Sequence, residues 1–131
     1  MSTSNCTRKS YHHGDLEAAL IRSAGKILEK EGLDALSLRE VARQAGVSHN
    51  APYRHFAERE ALLAALAAKG FEMLAQAQQA AAAKGGLRAM GEAYVLFALE
   101  HPQRFRLMFG GQVSMACMVK NENCAWYTSR Q

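Results

Sequence analysis

Ser37 to Phe56 reads S-L-R-E-V-A-R-Q-A-G-V-S-H-N-A-P-Y-R-H-F. The stretch predicts two short helices joined by a tight turn. Ser37 and Glu40 have the S-x-x-E spacing of a capping box: the hydroxyl accepts from the third helical N–H and the carboxylate reaches back to the cap. Leu36 and Val41 flank that box as a hydrophobic staple. Leu38, Val41, Ala42 and Ala45 recur along one helical face. Gly46 follows where a left-handed residue ends a helix. Ser48 is a second N-cap, Val47 and Pro52 are spaced as a second staple, and Phe56 closes the second helix with an apolar anchor.

Two capped helices around a glycine are the pattern of a helix-turn-helix, whose second helix can enter a DNA major groove. His49 and Asn50 stand at its exposed N-terminal end, within reach of base edges. Tyr53, Arg54 and His55 have polar tips that can reach phosphate. The same spacing also fits an αα-hairpin inside a helical bundle, with these polar residues as its solvated face.

Outward from this stretch, the chain has 131 residues, 49% of them hydrophobic. That suffices for one ordinary domain or two small helical ones. Proline is scarce and alanine abundant, and no run alternates as a strand does, so the expected class is all-α. The formal net charge is +4 and the pI about 9.2. Residues 1–60 carry nine Lys/Arg against eight Asp/Glu, so placement matters more than the sum. Between Ser37 and Arg59 stand four Arg and two Glu, plus His49 and His55.

The three cysteines Cys6, Cys117 and Cys124 form no C-x-x-C pair, which fits a reducing compartment rather than a disulfide framework. Cys6, His12 and His13 match no common zinc spacing, so neither a metal nor another cofactor is expected. No run has the ~18 apolar residues of a membrane span, and the N-terminus lacks an apolar leader. A cytoplasmic protein without a membrane partner is the expectation. No nucleophile–base grouping or phosphate-cradling glycine loop appears, so an enzyme is not expected.

Residues 1–13 read as a polar tail, either a disordered arm or one in which Arg8, Lys9, His12 and His13 lie along phosphates or in a minor groove. A first long helix is predicted over about 15–31, with Asp15 as its cap and a stripe of Leu16, Ala19, Leu20, Ser23, Ile27 and Leu28. Arg59 lies at the start of the next helix, where the dipole disfavours a cation; simple solvation beside Glu58 and Glu60 or a phosphate contact would account for it, and the place directly after the recognition helix favours the phosphate. That helix runs to about Ala83, with Leu62, Leu66, Gly70, Met73, Ala77 and Ala80 at helical spacing, and Lys84-Gly85-Gly86 stops it. Another helix follows over Leu87 to His101. A short one begins at Pro102, which suits a first turn. Met90, Tyr94, Phe97, Phe105, Met108 and Phe109 could line an apolar ligand cavity, or serve as plain core. Residues 112–131 show no sustained periodicity and read as an irregular tail.

From Tyr11 to about Leu66 the chain resembles the TetR family of bacterial transcriptional regulators. The motifs are Y-H-H-G-D-L, then A-G-V-S followed by a Y-x-H-F ending, then E-x-E-A-L-L. The segment H-P-Q-R-F-R-L-M-F resembles the start of the ligand-binding region in one subgroup, which extends the resemblance to residue 111. It implies a three-helix DNA-binding head (domain 11–70, helix-turn-helix 37–56), a long connecting helix, and a partial C-terminal ligand-binding and dimerisation domain (71–111).

By position, the resemblance assigns Ser37, Arg39, Tyr53, His55 and Arg59 to phosphate and Ser48, His49 and Asn50 to bases. Pro52 stands where Leu, Ile or Val is more usual. The implied partners are a palindromic double-stranded DNA operator, an apolar small-molecule effector that releases it, and a second copy of the chain. The implied function is a repressor-type regulator. The other reading is a helical ligand-binding or interaction module that does not regulate DNA. Family members are usually longer, and residues 112–131 do not resemble their last helices. A truncation or shifted frame near Gly111 is the expectation that follows.

Overall fold

A computed structural model describes residues 13–111 and Val113, which form helices without strands. The architecture is all-α. Helix α1 spans His13–Glu31, α2 Leu38–Ala45, α3 Arg59–Glu100 and α4 Pro102–Phe109. Two 3-10 turns, Leu33–Ala35 and Ala51–Arg54, flank α2. The proposed arm residues Arg8, Lys9 and His12, the side chain of His13, all three cysteines and, but for Val113, the 112–131 tail lie outside the described residues.

The first core forms where the predicted stripes meet. Leu20, Ile27 and Leu28 of α1 pack with Leu36, Val41, Phe56, Leu62 and Leu66, all buried. Each such aliphatic side chain contributes about 1.5–3 kcal/mol by leaving water. Helix α1 starts two residues before the expected boundary, so Asp15 lies in its first turn, favourably placed against the dipole, rather than at its cap.

Helix α2 begins as its sequence demands. The Ser37 hydroxyl accepts from the Glu40 N–H at 3.1 Å. Only half of the capping box forms, because the Glu40 carboxylate turns to Arg43 instead of to the cap N–H. At the other end Gly46 takes φ 71°, its N–H bonds to Arg43 O at 3.2 Å, and the Val47 N–H bonds to Ala42 O at 3.1 Å. These two bonds close a Schellman motif, which requires the left-handed residue that glycine supplies.

The second helix of the pair differs from expectation. Instead of a helix from Ser48 to Phe56, the chain makes a single 3-10 turn over Ala51–Arg54. Proline supplies the reason. Pro52 has no N–H to donate four residues back to Ser48 O, which accepts from Ala51 at 2.9 Å instead. The tighter register continues with Tyr53 N–H to Asn50 O and His55 N–H to Pro52 O.

Helix α3 is broken inside. Gly85 (φ −149°, ψ 16°) and Gly86 (φ 62°, ψ −148°) leave the helical region, at the predicted stop. In a straight helix Leu74 and Phe97 would stand about 35 Å apart, yet they share one buried cluster with Met108. The break therefore folds the second arm of α3 back along the first. Helix α4 starts at Pro102 as expected and docks against both α1 and α3. Its fit depends on two glycines. A Cβ on Gly25 of α1 would stand 2.5 Å from Arg104 Nη2, and one on Gly70 of α3 would stand 2.6 Å from Met108 Sδ.

Candidate nucleic-acid interface

Two edges of the head face solvent side by side. The first is the start of α2, with Ser37 and Arg39 exposed. The second is the turn after Gly46, with Ser48, His49, Asn50, Tyr53 and Arg54 exposed. An open cleft of about 370 Å³ joins them, lined by Ser37, Arg39, Glu40, Arg43, Val47 and His49. The 3-10 turn holds its polar tips outward while Pro52, buried beneath them, seats the segment on the core. Tyr53 is 55% exposed, unusual for so large a ring. The Ser48 hydroxyl accepts from the Asn50 N–H at 3.4 Å, which orders the entry to the turn.

Arg43 borders the cleft, although its place in the sequence does not mark it as a candidate. Its Nε reaches both Glu40 oxygens, at 3.1 and 2.9 Å, and its Nη2 also contacts that carboxylate. These hydrogen bonds hold the Glu40 carboxyl below its ordinary range and push the Arg43 guanidinium up. The i,i+3 Glu–Arg spacing is the available signal for the pair. That it borders the cleft depends on how the turn folds back.

Two candidates are placed otherwise than the sequence suggests. Arg59 is half-buried: its Nε donates to Leu36 O at 2.7 Å and its Nη2 to Leu33 O at 2.8 Å. Where the sequence points to a phosphate, backbone carbonyls occupy these two donors instead. Hydrogen bonds to a charged group contribute about 1.5–3 kcal/mol. Two of them outweigh the ~0.3–1 kcal/mol cost of a cation at a helix N-terminus. His55 turns inward, its side chain 11% exposed, with Nδ1 3.7 Å from Glu17 Oε2 of α1.

Of the six apolar candidates, Tyr94, Phe97, Phe105, Met108 and Phe109 come together, but chiefly as packing. Phe97 and Met108 are buried with Leu74. Tyr94 meets Phe105 edge-on at 5.5 Å, Phe105 lies 4.7 Å from Phe109, and Phe109 stands 5.3 Å from Phe71. Met90 is half-buried, while Tyr94 and Phe109 keep 37% and 49% of their surface in solvent. Leu87 is 84% exposed, and Val95, Leu96 and Leu99 are also exposed. Among the described residues, no three His, Cys, Asp or Glu side chains gather closely enough to hold a metal ion. No described helix is long and apolar enough to cross a membrane.

Residues 20–66 match the family model for bacterial regulatory proteins of the tetR family. Residues 87–122 match that for the tetracyclin repressor-like C-terminal domain. The second match runs past Gly111, beyond the motifs that carry the resemblance in the sequence. No curated protein matches the chain.

Among solved structures, a protein of unknown function from Rhodococcus sp. RHA1 is 43% identical, with TM-score 0.72 over 85% of this chain and 62% of that one. A proposed regulatory protein, SCO4313, is 33% identical, with TM-score 0.64 over 79% of this chain and 51% of that one. A TetR family transcription regulator from Marinobacter aquaeolei VT8, 21% identical with TM-score 0.62, shares the fold over 86% of this chain and 63% of that one. The chain thus spans about half to two thirds of the length of these structures.

Proposed function

The chain belongs to the TetR family of bacterial regulatory proteins, and from that premise we propose that it is a sequence-specific DNA-binding transcription regulator. The observation that carries the reading is the cleft linking Ser37 and Arg39 to His49. It sets the Arg39 cation, the Ser37 hydroxyl and the His49 ring beside an exposed turn, as a surface that grips phosphate and reads bases requires. Ser37, Arg39, Tyr53 and Arg54 contact phosphate; Ser48, His49 and Asn50 face base edges. An Asn–adenine pair would contribute about 1–3 kcal/mol of discrimination.

The head occupies residues 11–70. In a dimer of the chain two heads sit about 34–36 Å apart on a palindrome. The protein acts as a repressor, released when an apolar small molecule enters beside Met90, Tyr94, Phe105 and Phe109. Its family and its cleft support a binding role rather than catalysis.

The test is electrophoretic mobility shift across a randomised palindromic library at several salt concentrations. Arg39→Ala should weaken binding to every duplex alike, whereas Asn50→Ala should change which duplexes are selected. Equal effects of both on all sequences would refute these roles. A second reading, a helical interaction module, draws on the exposed Leu87, Val95, Leu96 and Leu99. Strong fluorescence of an apolar dye without any mobility shift would favour it.

A further inference from the structure

The geometry points to Arg59 as a positioning residue for DNA binding: its guanidinium fork ties the turn before α2 to the first turn of α3 and so fixes the spacing of the two DNA-facing edges. This inference rests on the DNA-binding reading above.

Both ends of the tie are informative. Leu36 immediately precedes Ser37, the N-cap whose hydroxyl receives the Glu40 N–H. Its carbonyl accepts from Arg59 Nε at 2.7 Å. The Leu33 carbonyl, which also takes the Leu36 N–H at 3.1 Å, accepts from Arg59 Nη2 at 2.8 Å. The fork therefore grips both ends of one 3-10 turn. On the other side, Arg59 is the first residue of α3, directly downstream of the Ala51–Arg54 turn. The Phe56 N–H joins that turn to its exit through Pro52 O at 2.8 Å. Ser37 and Arg39 hang from one end of the tie and the 48–54 segment from the other.

The chemistry selects arginine. A planar guanidinium presents two N–H groups at a fixed spacing, so one side chain serves two carbonyls at once. A lysine ammonium carries the same charge but cannot reproduce that fork. Turning Arg59 outward to a phosphate would take this donor from the Leu36 carbonyl and leave the Leu33 carbonyl with the Leu36 N–H alone.

Salt dependence separates positioning from direct contact, because a side chain that neutralises one phosphate adds about 0.9 to the slope of log K against log salt. The full chain would be titrated with a mixed-sequence duplex of about two helical turns, starting at low salt. Arg59→Ala should lose on the order of tenfold in affinity with the wild-type slope, and Arg59→Lys should fail to restore it. Arg39→Ala, the control for direct phosphate binding, should lower the slope by about 0.9.

Should either Arg59 variant fail to fold, the wild type alone decides. Its Arg59 Nε–H should exchange slowly in free protein and keep its NMR shift when duplex is added. A slope lowered by Arg59→Ala and restored by Arg59→Lys would overturn the inference, as would an Nε–H that becomes protected only with DNA. Wild-type protein that binds no duplex at low salt would overturn the functional reading and this role with it. Altered slopes in the Arg59 variants of a wild type that does bind would overturn this role alone.

Discussion

The guanidinium of Arg104 lies over Gly25, so close that a Cβ on the glycine would stand 2.5 Å from Nη2. Arg104 is 7% exposed, and its Nε donates to Glu29 Oε1 at 3.2 Å, an oxygen it shares with His101 Nδ1. The stem of the same side chain passes Gly70, whose Cβ would stand 3.3 Å from Arg104 Cγ. One buried cation thus runs between two glycines on different helices.

That arrangement separates two glycine substitutions. Alanine gains about 1 kcal/mol over glycine in a helix. At Gly25 the nearest atom is the end of a long side chain, which can yield. Gly25→Ala should stay within about 1 kcal/mol of wild type and show itself as a weakened Glu29–Arg104 pair. At Gly70 the nearest atoms belong to the middle of Met108 and Arg104, both buried. Overpacking there costs about 1–3 kcal/mol, so Gly70→Ala should be the less stable variant in chemical denaturation. Equal stability of the two would show that Met108 is not seated on Gly70.

Ser37→Ala removes the acceptor for the Glu40 N–H. The expected loss is about 0.5–2 kcal/mol, read in the denaturation midpoint. Ser37→Asp keeps an acceptor and should recover most of it. Because the hydroxyl also lies on the cleft, Ser37→Asp should still weaken DNA binding, by placing a negative charge there.

Gly46→Ala should destabilise by about 1–2 kcal/mol, although nothing lies within 4 Å of the added carbon. The loss comes from the backbone, held at φ 71°. Gly46→Asn, which tolerates the left-handed region better, should lose less. Thermal denaturation of the two variants would test the order.

Acid should weaken the Glu40–Arg43 pair in a definite direction. Arg43 holds the Glu40 carboxyl below its ordinary range when the chain is folded. The pair's contribution is therefore whole above the unfolded-state value, about pH 4.3, and is lost as pH falls through the lower folded-state value. Arg43→Ala should remove this part of the acid limb, so the stability difference from wild type should shrink below about pH 4. A difference that stays constant from neutral pH down to about pH 2 would contradict the pairing.

Local signals make much of the fold legible in the sequence. Ser37, Gly46, Pro102 and the Gly85–Gly86 stop each act through backbone chemistry within a few residues, and each lies where its type predicts. Pro52 carries its own signal as well. Its missing N–H disfavours an α-helical bond to Ser48, but the predicted staple with Val47 points toward a full helix. Arg59 is not legible in the same way. Its partners lie 23 and 26 residues upstream, and only the packing of α1, α2 and α3 brings them within reach. The burial of Arg104 is likewise hidden, since charge in a sequence suggests surface. The one hint is Gly70 within an apolar stripe, where a bulky residue would otherwise be expected.

The adjacent Gly85 and Gly86 inside α3 also bear on solubility. Run straight, its 42 residues would make a rod of about 63 Å. Phe97 would then be carried far from Leu74, and Phe105 and Phe109 would follow it to a greasy, uncovered tip. A helix-favouring residue at Gly86 would strengthen the backbone locally while delivering those rings to water, and from there to other molecules. The weakest helix formers in the segment are what keep its most adhesive side chains at home.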